Sequence, residues 1–449
     1  MNNHSKFLLS GAMALCATSL LAGPNGNGRS AAIIRQSTLP RLSLTAFGYN
    51  QSELDAAQPN GLIVSDRPGF GSGLQQINGD LFMGVTDRGP NIDHFPVDSD
   101  CAPTSSTADG KAFPLPQFTP AIVLFRALGD ELVVEMIVNL VDADGTPITG
   151  LTNDSNDDKP YDSPCSTTAL SFNPNGMDIE DIHTLPGGRF IGVEENKPSV
   201  FVGQLATGII EKRYTPAGKP LPGATYPVSE LFPSILTQRR NNRGFESLAV
   251  SPDGSTAFVA TQSPLGSTSS GSPYRDSRVL RVFRLDVSDP LEVHITGQFI
   301  VSMSPVSAYP SGNRQRDLKL SAMSWVAENK LLFLERSDEV DKGGVRLILV
   351  DLSAATDISG LAVAGTLDIE DATKGPAFLG ITEASPSVVF EEFQNNANRL
   401  FWTYKLEGLA ILNRNQVAII NDNDFGIAGV DAPTQLWVLL LAGQLPLKE

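Results

Sequence analysis

One pattern recurs along this 449-residue chain and restricts its fold more than any other feature. A small or apolar residue, often followed by a carboxylate, opens a short apolar run. A turn comes next, then an apolar strand that ends in polar residues. Five copies run from Gly73-Leu74-Gln75 to Val85-Thr86-Asp87-Arg88, from Asp178-Ile179-Glu180-Asp181 to Val193-Glu194-Glu195, from Gly244-Phe245-Glu246-Ser247 to Thr261-Gln262, from Leu320-Ser321-Ala322-Met323 to Leu334-Glu335-Arg336, and from Leu406-Glu407-Gly408 to Asn421-Asp422-Asn423-Asp424. Within a copy, 13 to 16 residues separate the leading position from the polar end, the span of two antiparallel strands and a turn. Successive copies begin 66 to 106 residues apart, room for four strands and their loops. Such a repeat, in a chain without convincing helical periodicity, predicts an all-β fold: a β-propeller of five or six four-stranded blades.

Other segments agree. Short β-rich runs such as residues 121–125, 279–285 and 346–350 are divided by turn signals such as Pro186-Gly187-Gly188 and Pro252-Asp253-Gly254. A sixth blade would lie in the long interval after the first copy or near residues 378–401. Residues 41–47 are expected to pair beside residues 436–441 and close the ring, leaving no open sheet edge.

Lys6, the apolar run that follows it and the turn-rich Gly23-Pro24-Asn25-Gly26 read as a signal peptide over residues 1–22, then a linker at 23–39 and one domain at 40–449. The expected destination is periplasmic or extracellular. In that oxidising setting Cys101 and Cys165 are expected to form a disulfide. With 33 Lys and Arg against 50 Asp and Glu, the net charge of −17 disfavours nucleic-acid and membrane-surface partners.

A circular architecture brings equivalent strand ends to one opening. Asp87, Glu194, Glu195, Gln262, Glu335 and Asp422 are therefore expected to converge, with Glu180, Glu246 and Glu407 nearby. Carboxylates this close need a cation or take up protons. Oxygen-only ligands suit a hard ion, Ca²⁺ before Mg²⁺. Arg88, Arg243 and Arg336 stand beside the acids as partners for a substrate phosphate or carboxylate.

The strings Thr86-Asp87-Arg88-Gly89-Pro90-Asn91, Asn242-Arg243-Gly244-Phe245-Glu246-Ser247-Leu248-Ala249, Leu334-Glu335-Arg336 and Asn421-Asp422-Asn423-Asp424-Phe425-Gly426 resemble those of an exported bacterial family, the phytase-like or "esterase-like activity of phytase" domain. The resemblance spans roughly residues 60–441. It implies a propeller distantly similar to calcium-dependent β-propeller phytases, and hydrolysis of a small-molecule phosphate ester. Carried over by position, the family's polar residues fall on Asp87, Arg88, Asn91, Glu180, Glu194, Arg243, Glu246, Glu335, Arg336, Glu407, Asp422 and Asp424. Of these, Asp87, Arg88, Glu180, Glu194, Arg243, Glu246, Glu335, Arg336 and Glu407 are the expected catalytic set. Asp87, Glu194, Glu335, Asp422 and Asp424 are the expected metal ligands. The fourth copy departs, carrying Ser321-Ala322 where others have Glu, so one wall is less acidic.

Plainer readings stand beside these. Asp87-Arg88 and Glu335-Arg336 also fit ion pairs between blades, and Glu180, Glu246 and Glu407 also fit bonds to backbone amides of the next blade. Asp422-Asn423-Asp424 also fits a capping turn. The acid-rich stretch 142–158 lacks EF-hand spacing and reads as a solvated loop pinned by Cys165. His94 reads as an exposed loop residue or as a general acid at the mouth. No zinc-ligand spacing, Arg-His-Gly motif, G-x-S-x-G elbow, Walker A loop or dinucleotide fingerprint occurs, which disfavours the corresponding enzymes. Three functions stay open: a metal-dependent phosphoesterase, a non-enzymatic calcium-stabilised binding or scaffold module, and a lactonase-like esterase. Oligomeric state is open as well.

Overall fold

The computed structural model describes residues 31–57, 66–154, 157–337, 339, 342–394, 405–429 and 432–447. The expected signal peptide lies outside the described residues, as does part of the segment where a sixth blade was expected.

The fold is nearly all-β and propeller-like. Each copy of the sequence pattern forms the first two strands of an antiparallel four-strand run. The five leading strands are Gly73–Asn78, Ile179–Leu185, Phe245–Val250, Lys319–Ala327 and Leu406–Asn413. Each packs against the leading strand on either side, and the last meets the first, so the five make a closed cycle. In hydrogen bonding the third and fourth runs are separate four-stranded sheets. The second gains a parallel fifth strand, and the first and fifth join through one parallel pair, Thr38 with Glu131, into a sheet of eight.

Side-chain alternation explains the closure. Successive strand residues point to opposite faces, and here the two faces feed two different cores. Phe190 packs toward the first run and Ile191 toward the third; Val259 packs toward the second and Phe258 toward the fourth; Ile419 packs toward the fourth and Ile420 toward the first. Five apolar clusters result, one in each gap between neighbours. Both faces of every run are thus covered, which is why its strands read as continuous apolar stretches.

The closing strand is not the expected one. Ala31–Thr38 pairs antiparallel with Gln435–Leu441, so part of the expected linker is a strand of the fifth run. Residues 41–47 contain instead a 3-10 turn, Leu44–Phe47. Ser43 accepts the Thr45 N–H and Gly48, at φ 97°, ends the turn, while Leu44 and Phe47 enter the core. Local capping outcompetes an alternating pattern that suited a strand.

The long interval after the first copy forms a small three-stranded sheet of Ile92–His94, Gly110–Ala112 and Lys159–Tyr161. Cys101 and Cys165 form the expected disulfide beside it. His94 is neither exposed nor at the mouth. It is buried, stacks on Tyr161 at 3.5 Å between ring centres, and bonds Asp109 Oδ1 at 2.7 Å and the Ser166 carbonyl at 2.9 Å. The acid-rich stretch is docked, not solvated: Asp154 pairs with Lys197, Asp157 pairs with Arg239, and Asp142 accepts the Thr225 hydroxyl at 2.7 Å.

Candidate functional site

The site begins with a backbone irregularity that recurs around the cycle. In the second run Val193 pairs with Asp181 and Glu194 with Ile179, so Glu180 bulges out of register. The same skip leaves Glu246 between Phe245 and Ser247, Ser321 between Leu320 and Ala322, and Glu407 between Leu406 and Gly408. A bulge re-aims the extra side chain. Three glutamates and one serine therefore project from equivalent places near the start of the leading strands. In the first run the matching sequence position is Ser72, two residues before the expected Leu74, and no bulge occurs there.

The second set of side chains comes from the residue just past the end of each following strand or at its rim: Asp87, Glu195, Gln262, Arg336 and Asp422. Gln262 Nε2 donates to Glu246 Oε2 at 2.6 Å. Arg336 donates to both Glu407 and the Ser321 hydroxyl, so the serine of the fourth copy makes room for a guanidinium where a fourth glutamate would stand. Lys405 Nζ lies 3.1 Å from Glu407, 3.1 Å from Asp424 and 3.6 Å from Asp422. Arg88 pairs with Asp178 at 3.2 Å.

Carboxylate oxygens of Asp87, Asp422 and Asp424 lie within 4.8 Å of one another, as do those of Asp178, Glu180 and Glu195. Burial and mutual repulsion oppose ionisation. Burial, then the charges of Asp178 and Asp424, push Asp87 up to about 8. Burial, then Glu407, push Glu246 up to about 7 against the pull of Arg336. Burial, then Glu246 and Glu195, hold Glu180 well above the usual carboxylate range. Glu195 is raised by burial and then by Asp178, and Asp422 by burial despite Lys405. Burial alone would lower Lys405, yet Asp424, Glu407 and Asp422 outweigh it and raise the ammonium. Lys405 and Asp424 also both hold left-handed backbone, φ 51° and 49°, a conformation uncommon outside glycine that recurs where function imposes strain.

Two expected ligands do not join. Glu194 is fully buried on the opposite face of its strand, where it pairs with Arg213 and accepts the Ser199 hydroxyl at 2.8 Å and the amides of Asn196 and Lys197. Glu335 accepts the Ser304 amide through both oxygens at 3.1 Å. Their chain neighbours Glu195 and Arg336 face the mouth instead. Successive side chains of one strand point to opposite faces, so Glu194 and Glu335 turn away where their chain neighbours turn in. Arg88, Glu180, Arg243, Glu246, Glu407, Asp422 and Asp424 do gather with Asp87; Arg243 stands beside Glu195 and Glu246, whose charges act on it. Asn91 bonds the Gly89 carbonyl at 3.0 Å, a turn contact. Asp178 and Lys405 are additions that sequence reading passed over, although each stands two residues before a recurring glutamate.

Among the described residues, eight carboxylates, those of Asp87, Asp178, Glu180, Glu195, Glu246, Glu407, Asp422 and Asp424, thus face six cations, Arg88, Arg239, Arg243, Lys319, Arg336 and Lys405. Both oxygens of Asp422 and Oε2 of Glu195 are buried without a hydrogen-bond partner. Buried polar atoms are rarely left so. The donors are all oxygen and the excess is negative, a combination that fits a hard cation.

No curated protein matches the chain in sequence. Among solved structures, a luciferin-regenerating enzyme aligns at 8% identity over 84% of this chain and 94% of its own, with a TM-score of 0.34. The PQQ-bound aldose sugar dehydrogenase of Streptomyces coelicolor aligns at 10% identity over 93% and 100%, with a TM-score of 0.33. The Dos1 propeller aligns at 8% identity over 84% and 70%, with a TM-score of 0.28. Residues 68–425 match the family described as "Phytase-like: Esterase-like activity of phytase", a stretch that holds every residue of the charged mouth, and the chain belongs to that family.

Proposed function

We propose that this chain is a five-bladed propeller that hydrolyses a small-molecule phosphate ester outside the cytoplasm, with calcium at the charged mouth. The observation that carries the reading is the set of buried carboxylate oxygens without a hydrogen-bond partner, on Asp422 and Glu195, inside a group where acids outnumber cations among the described residues. Two triads, Asp87 with Asp422 and Asp424, and Asp178 with Glu180 and Glu195, are the residues that would hold calcium. Bound there, Ca²⁺ supplies charge compensation and polarises a phosphoryl oxygen.

The chain's own residues divide the remaining work. Asp87, which burial raises to about 8 in the absence of the ion, would give up that proton and hold the ion as a carboxylate, and the leaving oxygen takes up the proton that Glu246 removes from water. Glu246, at about 7, is balanced to take a proton from the attacking water. Arg88 and Arg336, expected from sequence to hold the ester, are engaged with Asp178 and with Glu407 and Ser321; they fix the orientation of those groups. Arg243 makes no ion pair among the described residues and orients the ester.

The test is an assay of EDTA-treated protein, re-supplied with Ca²⁺, on a phosphomonoester, a phosphodiester and a lactone. Calcium-restored turnover of a phosphoester alone is the expected result. Turnover of the lactone alone, or a calcium-dependent melting temperature without any turnover, would overturn it.

A further inference from the structure

In a chain of net charge −17, acids are plentiful, yet two neighbouring arginines, Arg240 and Arg243, form no ion pair with any described one. Arg240 and Arg243 sit on the two arms of a tight turn closed by an antiparallel bridge, with Asn242 at φ 51° allowing the reversal. Their guanidinium groups converge on a single neutral acceptor. Arg240 Nη1 and Arg243 Nη1 both donate to the Arg316 carbonyl, at 3.4 and 2.9 Å. Arg240 Nη2 donates to the carbonyls of Tyr274 at 2.9 Å and Arg275 at 3.3 Å, and Arg243 Nη1 to the Ser263 hydroxyl at 3.0 Å.

Among the described residues, Arg240, Arg243 and Arg316 have no carboxylate at ion-pair distance. Arg240 is only 7% exposed, and its Nε is buried without a hydrogen-bond partner. Burial, then the Arg243 charge, lowers Arg240 to about 10, so it stays cationic at neutral pH. Nearby Asp317 is committed to Arg314. Carbonyl dipoles tie these side chains down, and the acids that act on them from farther off, Asp276 and Asp317 on Arg240 and Glu195, Asp317 and Glu246 on Arg243, offset their buried charge only in part.

We propose that Arg240 and Arg243 form a metal-independent oxyanion site that takes a phosphate group. Forked guanidinium donors match phosphate oxygens in geometry as well as charge. The site adjoins the carboxylates through Arg243, which feels the charges of Glu195 and Glu246. Assigning the bound group as the phosphoryl group of the ester rests on the phosphoesterase reading; the binding itself does not.

The experiment therefore omits the metal. EDTA-treated full-length protein is titrated with inorganic phosphate, sulfate and acetate by calorimetry and by thermal shift, alongside Arg240→Gln, Arg240→Lys and Arg243→Gln. Phosphate is expected to bind most tightly and to raise the melting temperature. Both glutamine variants are expected to weaken phosphate at least about tenfold, with Arg240→Lys recovering part of the loss. Arg243 is half-buried, so Arg243→Gln serves if circular dichroism shows that Arg240→Gln does not fold. Absent phosphate binding by the wild type, tighter binding of acetate, or equal binding by the folded variants would overturn the proposal. Phosphate binding without any calcium-restored hydrolysis would leave this site standing and sink the phosphoesterase reading.

Discussion

The same five leading strands surround one axis, and the two ends of their cycle differ in chemistry. At the mouth they contribute Glu180, Glu246 and Glu407 beside the acids and cations of the following strands. Farther along they line a cavity of about 520 Å³ with Gln75, Gln76, Thr184, Ser324 and Trp325. The one titratable side chain there, His183, is pushed down to about 4 by burial and so is neutral at pH 7. Glu180 and Thr184 stand on a single strand, Ile179–Leu185. Architecture alone therefore does not concentrate charge. Side chains at the bulged positions and at the strand ends beside them do.

The largest expected effect separates the two ends. Replacing Glu180 and Glu195 together by Gln should lower kcat/KM on a phosphoester by about 10²–10⁴-fold and abolish tight calcium binding in calorimetry. Ser324→Ala at the far end should leave both unchanged. Equal loss from the two would erase the distinction.

Next in size is the contrast between adjacent glutamates. Arg213→Ala strands Glu194 in a fully buried site. It should cost about 3–5 kcal/mol in denaturant unfolding while calcium affinity is retained. A change in calcium affinity without loss of stability would return Glu194 to the metal set.

A smaller effect is expected from pH. Burial raises Asp87 and Glu246 in the folded protein to about 8 and about 7, from ordinary values of 3.8 and 4.5. The native state thus binds more protons than the unfolded chain, and their contribution to stability is complete below about pH 4 and lost as pH rises through 7 to 8. The melting temperature of metal-free protein should fall across that window. Calcium should offset the fall, because it binds only the folded state. A flat profile without metal would contradict the shared burial of these acids. Smallest of all, Gln76→Ala at the far end should change stability by no more than about 0.5 kcal/mol.

Much of the fold was legible because apolar runs and turns recur, and all five leading strands fall on the copies found in sequence. Placement of the glutamates followed from the same recurrence. Two kinds of information were hidden. Glu194 and Glu335 were expected as metal ligands, yet alternation along their own strands turns both toward a neighbouring run, while Glu195 and Arg336, also expected at the mouth, face it. Closure by Ala31–Thr38 was hidden as well, since residues 41–47 carry an equally apolar pattern whose fate was decided by the Ser43 cap and Gly48. Lys405 escaped notice for another reason: a lone lysine has no meaning in sequence until Asp422, Asp424 and Glu407 surround it.

The most direct measurement is a crystal structure of the protein soaked in calcium, with anomalous scattering to locate the ion. The account predicts calcium at the mouth, held at about 2.3–2.6 Å by oxygens drawn from Asp87, Asp178, Glu180, Glu195, Asp422 and Asp424. Calcium found only elsewhere, with these carboxylates protonated and bonded to one another, would contradict it.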